Sequence, residues 1–344
     1  MPVNALTKRK KAAPRFGYGE GFFGVFTIFC LLLLLKNADV AIEYMQQGIL
    51  LCTRSVLPSL FPFMVLSELL VSYGDGKHRT PRCFAPLQRL WGLSPAGLRA
   101  LLLGLLCGFP VGARCARLGE ERGEMEREEA DRILCFGSLP SSAFLMNAVG
   151  LSLWGSRPLG VTLYLSSVAV ALLSVALFAP RRNRKKEKEP PMQASSTVPS
   201  LSTVPRPLVS RFTDAVCNAA RSIFLVCAYV LFFSAISGAL TASLANVSLP
   251  AWAEALLFGF LELSGGMSYA AAMTPRTVGA LFSAFFVGWG GISVHFQLLS
   301  LCKERPLSVG RYLMARLWEG LLCVAIMGIA LWLCPSLLLT SRPM

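Results

Sequence analysis

The sequence predicts an all-α polytopic membrane protein: an inverted repeat with about seven spanning helices and two re-entrant hairpins. Three observations predict it. Of 344 residues, 54% are hydrophobic and 15% charged, at a mean hydropathy of +0.57, whereas soluble domains carry about 25% charged residues. The apolar residues fall into nine stretches, each near the roughly 20 residues that cross a bilayer. Two segments also match at a constant offset of 148 residues, without a gap: Leu151 to Leu165, containing Arg157, Pro158 and Tyr164, and Leu299 to Leu313, containing Arg305, Pro306 and Tyr312. Leucine matches are cheap in so apolar a chain; the Arg-Pro pair and the Tyr are not. One membrane unit therefore occurs twice.

The first stretch, 18–36, follows the basic run Lys8 to Lys11 and resembles a signal peptide. No small-x-small cleavage site follows it, so it reads as an uncleaved first helix after a cytoplasmic tail, 1–17. The remaining stretches are 47–73, 97–118, 132–153, 158–179, 212–240, 251–273, 277–301 and 309–334. Four are interrupted. The interruptions are Gly108-Phe-Pro-Val-Gly112, Ser138-Leu-Pro-Ser-Ser142, Glu262-Leu-Ser-Gly-Gly266 and Gly288-Trp-Gly-Gly-Ile-Ser293. Each break frees backbone amides and carbonyls at membrane depth, where lipid cannot satisfy them. It must therefore face protein or a water-filled cavity.

Basic clusters set the orientation. The net charge of +14 is gathered at Lys8 to Arg15, at Lys77, Arg79, Arg82 and Arg89, at Arg181 to Lys188, and at Lys303 and Arg305, all expected in the cytoplasm. Three stretches separate the second cluster from the third, and three the third from the fourth. An odd number cannot return the chain to one side, so one of each three must re-enter: 97–118 in the first set, 251–273 in the second. The outcome is a gate-like unit of helix, hairpin, broken helix and helix at 47–179, and its inverted copy at 212–334. A basic, Pro/Ser-rich cytoplasmic linker, 180–211, joins them. The N-terminus is expected in the cytoplasm and the C-terminus outside. The acidic stretch from Glu120 to Asp131 reads as a solvated connector.

Inverted repeats with paired broken helices point to a binding site at the bilayer midplane. The candidate residues of a substrate or ion pathway are Gly108, Pro110, Gly112, Arg114, Arg117, Ser141, Ser142, Asn147, Glu262, Ser264, Gly265, Gly290, Gly291, Ser293 and His295. Gly108 and Gly112 permit a tight turn, and Pro110 denies a helical hydrogen bond. Arg114 and Arg117 offer two readings: attraction of an anion, or a topogenic and capping role. Glu262 is an intramembrane carboxylate, which binds a cation, carries a proton or accepts from a ligand, or else simply satisfies the broken backbone. His295, beside the second break, either carries protons and contacts ligand or makes a local bond; Asn147 is its repeat equivalent. Ser141, Ser142, Ser264 and Ser293 are supporting donors. Arg316 and Glu319, three apart on the last helix, are placed to pair.

Other classes find no support in the residues. No basic stripe is interleaved with aromatics, so no nucleic-acid partner is expected. The eleven cysteines contain no Cys-x-x-Cys, and there are only two histidines, so neither metal nor cofactor is expected. No Gly-x-Ser-x-Gly elbow, phosphate loop or His-Glu-x-x-His occurs, and the chain does not read as an enzyme.

Three motifs carry a family resemblance: Leu57-Pro-Ser-Leu-Phe-Pro-Phe63, Gly108-Phe-Pro-Val-Gly-Ala113 and Gly288-Trp-Gly-Gly-Ile-Ser-Val-His-Phe-Gln297, followed by Tyr312-Leu-Met-Ala-Arg316. In this order and spacing the chain resembles the YlbJ-type sporulation integral membrane proteins of endospore-forming Firmicutes, which carry the nucleoside-recognition gate domain. The resemblance covers most of residues 45–320. It implies a role in spore cortex formation or maturation, and export of dipicolinate across the outer forespore membrane. The expected partners are the lipid bilayer and a small anion, with a coupling proton or cation. A membrane scaffold and a nucleoside carrier are the alternative expectations.

Overall fold

The structure is a computed structural model, and it describes residues 18–73, 84–180, 207–302 and 306–339. The N-terminal basic run, Lys77, Arg79, Arg82, the Arg181 to Lys188 cluster, most of the linker, Lys303 and Arg305 lie outside the described residues. Among the described residues there are fourteen α-helices and no strand.

Helix α1 (Tyr18–Lys36) turns by 98° into the next helix. Its outward side chains, including Ile28, Phe29, Leu32 and Leu35, are exposed; in a membrane protein that is the lipid-facing surface. Helices α2 (Ala38–Leu51) and α3 (Leu57–Tyr73) run on through a π-helical stretch, Cys52–Val56. This segment was expected to start at 47 after a loop; its first turns are helical from Ala38. The charged residues there are Asp39 and Glu43, neither of which breaks a helix.

The segment from α2 to α3 lies against α9 (Leu208–Leu244). Asn37 donates to Ser243 at 2.8 Å, Gly48 faces Ser234, and Val56 packs with Ile223 and Val226. Numbers rise on one side as they fall on the other, so the leading helices of the two halves are antiparallel. The rest of each half repeats a pattern. Helices α5 (Pro95–Cys107) and α6 (Phe109–Glu121) form one hairpin; α10 (Ala251–Leu261) and α11 (Leu263–Ala272) form the other. The first broken pair is α7 (Arg127–Phe136) and a π-helix, Phe144–Leu153. The second is α12 (Arg276–Trp289) and α13 (Gly291–Ser300). Helices α8 (Arg157–Leu177) and α14 (Val309–Leu333) close the halves. Contacts between halves exchange in pairs: α6 meets α13 as α11 meets the π-helix, and α7 meets α14 as α12 meets α8.

Close approach of these helices depends on glycine. A Cβ on Gly112 would lie 2.5 Å from Gly104 Cα, and one on Gly266 would lie 2.2 Å from Gly259 Cα. Each pair straddles its hairpin tip, so the two hairpins cross in the same way. Gly150 with Gly160 and Gly288 with Gly320 serve two further contacts. With no hydrophobic drive between helices in lipid, such small-residue contacts supply packing.

Among the described residues, four helical segments are long and apolar enough to cross a membrane: 157–177, 208–244, 276–300 and 309–333. Two bent pairs raise the number to six, against about seven expected. The two sets also differ in membership: one bent pair is Ala85–Trp91 with Pro95–Cys107, the latter in the first hairpin, whereas 47–73 keeps only Leu60–Leu69, and 132–153 only Phe144–Leu153, as a short apolar helix. The stretch 120–131 is only in part the solvated connector expected: 121–123 and 126–128 are exposed, but its ends are tied down. Glu120 is buried and pairs with Arg117 at 2.6 Å, and Asp131 pairs with the same guanidinium at 3.1 Å. Helix α4 (Ala85–Trp91) sits beside α8, and a 3₁₀ turn (Pro335–Leu338) follows α14.

Candidate functional site

The four breaks meet. Gly108, at the tip of the first hairpin, has φ +96°, and its added Cβ would lie 3.1 Å from Ser141 Cβ. There the Phe109 amide donates to the Leu139 carbonyl at 2.7 Å, so the first tip closes on the first break. In the second half, Gly290 and Gly291 have φ +91° and +85°. A Cβ on Gly291 would lie 3.2 Å from Leu263 N, so the second tip abuts the second break. Only glycine adopts these dihedrals at low cost while leaving room for the neighbouring backbone.

Between the two tip-and-break pairs lies a partly open cavity of about 70 Å³. Its apolar wall includes Val56 and Leu60, Phe109 and Phe144, Val226 and Val230, and Leu263 and Val294. Its polar groups are Ser138, Ser141, Glu262, Ser264, Ser293, Gln297 and Arg316. Four half-helices, α6, the π-helix, α11 and α13, begin at this wall. Helix N-termini carry partial positive charge and free amides, which favour an anion.

Of the residues expected in a pathway, Gly108, Pro110, Ser141, Glu262, Ser264, Gly290 and Ser293 line the cavity. Glu262 is 6% exposed and caps α11. One carboxylate oxygen accepts from the Gly265 amide at 2.8 Å, and the other from Ser264 Oγ at 2.9 Å. Gly265 thus contributes through its capped amide, and Ser141 Oγ caps the amide of Phe144 at 3.2 Å.

Other expected residues stand elsewhere. Arg114 pairs with Glu68 at 2.8 Å and donates to Ser222 at 3.2 Å. Arg117 is held by Glu120 and Asp131 at the base of the first hairpin. Both arginines follow the tip by more than a helical turn along α6, and neither lines the cavity. Gly112 serves helix crossing, and Gly291 serves contact between the second tip and break. Ser142 donates to the Leu106 carbonyl at 3.3 Å. Asn147 is exposed on the outer side of the π-helix. Its repeat equivalent His295 is buried, and its Nδ1 meets Tyr312 Oη at 3.0 Å. The repeated tyrosines are thus both tied down, since Tyr164 donates to the Leu105 carbonyl at 3.0 Å.

Arg316 and Gln297 are cavity residues that the sequence reading did not place there. Arg316 is 1% exposed and pairs with Glu319, as its spacing suggested. A charge within an apolar span is itself a functional signal, and it was available at this position.

These features define a class: an all-helical, polytopic integral membrane protein with a central cavity built by two hairpins and two broken helices. No family model matches the chain, and no solved structure matches it. It is 24% identical over 332 aligned residues to the sporulation integral membrane protein YlbJ of Bacillus subtilis (strain 168), covering 89% of this chain and 81% of that protein. The likeness supports the YlbJ-type family that the three motifs pointed to.

Proposed function

We propose that this protein is a sporulation membrane transporter of a small anion, with dipicolinate as the first candidate. The observation that carries the reading is the cavity, on which both hairpin tips and both broken helices converge. A scaffold does not need four interrupted helices around one void, because each break forfeits backbone hydrogen bonds that a continuous helix would keep. The four N-termini at the wall favour negative charge, and the apolar faces suit a ring or hydrocarbon body. In a sporulating cell the protein would lie in the outer forespore membrane, N-terminus cytoplasmic and C-terminus extracytoplasmic, and would serve cortex formation or maturation. Glu262, a carboxylate in the cavity wall, is the group through which a proton or cation would couple to transport.

The test is flux. Full-length protein reconstituted in phospholipid vesicles is expected to take up labelled dipicolinate above protein-free vesicles, and Glu262→Ala to slow that uptake. Flux no greater than in empty vesicles refutes transport of this anion. Uptake of uridine in its place establishes a nucleoside carrier.

A further inference from the structure

We infer that Arg316 and the open N-terminus of α13 form a carboxylate-binding subsite in the cavity, and that its ligand is a small carboxylate with an apolar or aromatic body. This rests on the transport reading and specifies the chemistry of the substrate.

The four half-helix N-termini are not equivalent. At α6, Phe109 donates to Leu139, Pro110 has no amide hydrogen, and Val111 and Gly112 donate to the Gly108 carbonyl. At α11 the Glu262 carboxylate is the cap, and at the π-helix Ser141 is. No side chain caps α13, which begins at Gly291 after a glycine in the left-handed region.

A second observation points to the same place. The Arg316 guanidinium is clamped on two sides: Nε donates to the Trp289 carbonyl at 3.4 Å, and Nη1 donates to Glu319. Its Nη2 has no partner although the residue is 1% exposed. That nitrogen lies 3.9 Å from where a Cβ on Gly290 would sit, at the mouth of α13. A buried guanidinium nitrogen left without an acceptor is costly, and an anionic oxygen in the cavity would satisfy it together with the α13 amides. Gln297, on the same wall, spends its Nε2 on Ser293 Oγ at 3.1 Å and offers the cavity no free donor, so the anion contact falls to Arg316 and the α13 amides.

Charge selects the ligand class. Among the described residues, Arg316 is the only cationic side chain in the wall; Glu319 partly offsets it, and the wall's carboxylate, Glu262, is engaged by Ser264 and the Gly265 amide. A single carboxylate arm suits one half-neutralised guanidinium; phosphate concentrates its charge on one group, whereas a dicarboxylate carries its second charge on a separate arm. The same offset leaves the anion free to depart, which a carrier requires.

The experiment is calorimetric titration of the full-length protein in lipid nanodiscs with dipicolinate, benzoate, inorganic phosphate and uridine, alongside vesicle flux. Wild type is expected to bind dipicolinate and benzoate. Arg316→Lys should weaken binding about tenfold or more, because an ammonium lacks the planar fork. The double variant Arg316→Gln/Glu319→Gln removes both charges at once. It should lose saturable binding while keeping the unfolding midpoint of the wild type. Arg316→Lys keeps a cation beside Glu319 and so tests the subsite even if the double variant does not fold. Wild-type affinity in Arg316→Lys overturns the subsite while leaving transport standing. Binding of phosphate or uridine in place of both carboxylates overturns the ligand class. Carboxylate binding without flux keeps the subsite and refutes the transport reading instead.

Discussion

Replacing Gly266 by Ala tests whether the second hairpin is held by backbone contact. The added Cβ would lie 2.2 Å from Gly259 Cα and 2.9 Å from its N. Ordinary contact begins at 3.4 Å, so the limbs must part by about 1.2 Å at a point one helical turn from the tip. The opposing atoms are backbone, which no rotamer change can move. Phe286, at 3.2 Å on another side, blocks escape in that direction. Overpacking of this kind costs about 1–3 kcal/mol. Gly310→Ala is the control, since a Cβ there meets nothing within 4 Å; it is expected to be neutral or stabilising by up to about 1 kcal/mol. Denaturant titration of both variants in one detergent provides the comparison. Gly266→Ala should lose stability and, because the tip carries Glu262, should slow flux as well. Equal stability of Gly266→Ala and Gly310→Ala would refute the packing argument.

Glu319→Leu strands the Arg316 charge and is expected to cost about 3–5 kcal/mol, most of it recovered in Arg316→Met/Glu319→Leu; unfolding midpoints of the three proteins measure this. Glu262→Ala removes the α11 cap and should cost about 1 kcal/mol, with Glu262→Gln losing less because one acceptor oxygen remains. Cysteines placed at Asn246 and Ser308, both exposed, should react with an impermeant thiol reagent from opposite sides of the membrane. Labelling from the same side would contradict the inverted arrangement.

The hairpins and breaks were legible because their chemistry is local. Gly108, Pro110, Gly290 and Gly291 interrupt apolar runs, and an interrupted run at membrane depth has few acceptable conformations. Glu262 was legible as an intramembrane carboxylate, although its work as a helix cap needed the geometry of Ser264 and Gly265. Repeat alignment put Asn147 and His295 at one equivalent position, yet one is exposed and the other buried. The π-helical winding of Phe144–Leu153 rotates its side chains relative to an α-helix: Trp154 donates to Val149, five residues back, at 3.0 Å. No residue-type pattern in 144–153 announces that winding. Arg114 and Arg117 looked like cavity cations because they follow the tip in sequence, but the limb carries them away from it, to Glu68, Glu120 and Asp131.

The sequence by itself determined the membrane class, the twofold repeat, the two hairpins and the four breaks. All of these rest on composition and on which residues permit a backbone to turn without water. Tertiary structure decided what the breaks enclose. Val56, Phe109, Ser141, Val226, Glu262, Gly290 and Arg316 share one wall, although they lie far apart in the chain. That wall exists only because glycine pairs let the helices approach closely and the leading helices of the two halves pack antiparallel. Which nitrogen of Arg316 stays unpaired depends on where Trp289 and Glu319 end up around it, and that is set by how α12 packs on α14.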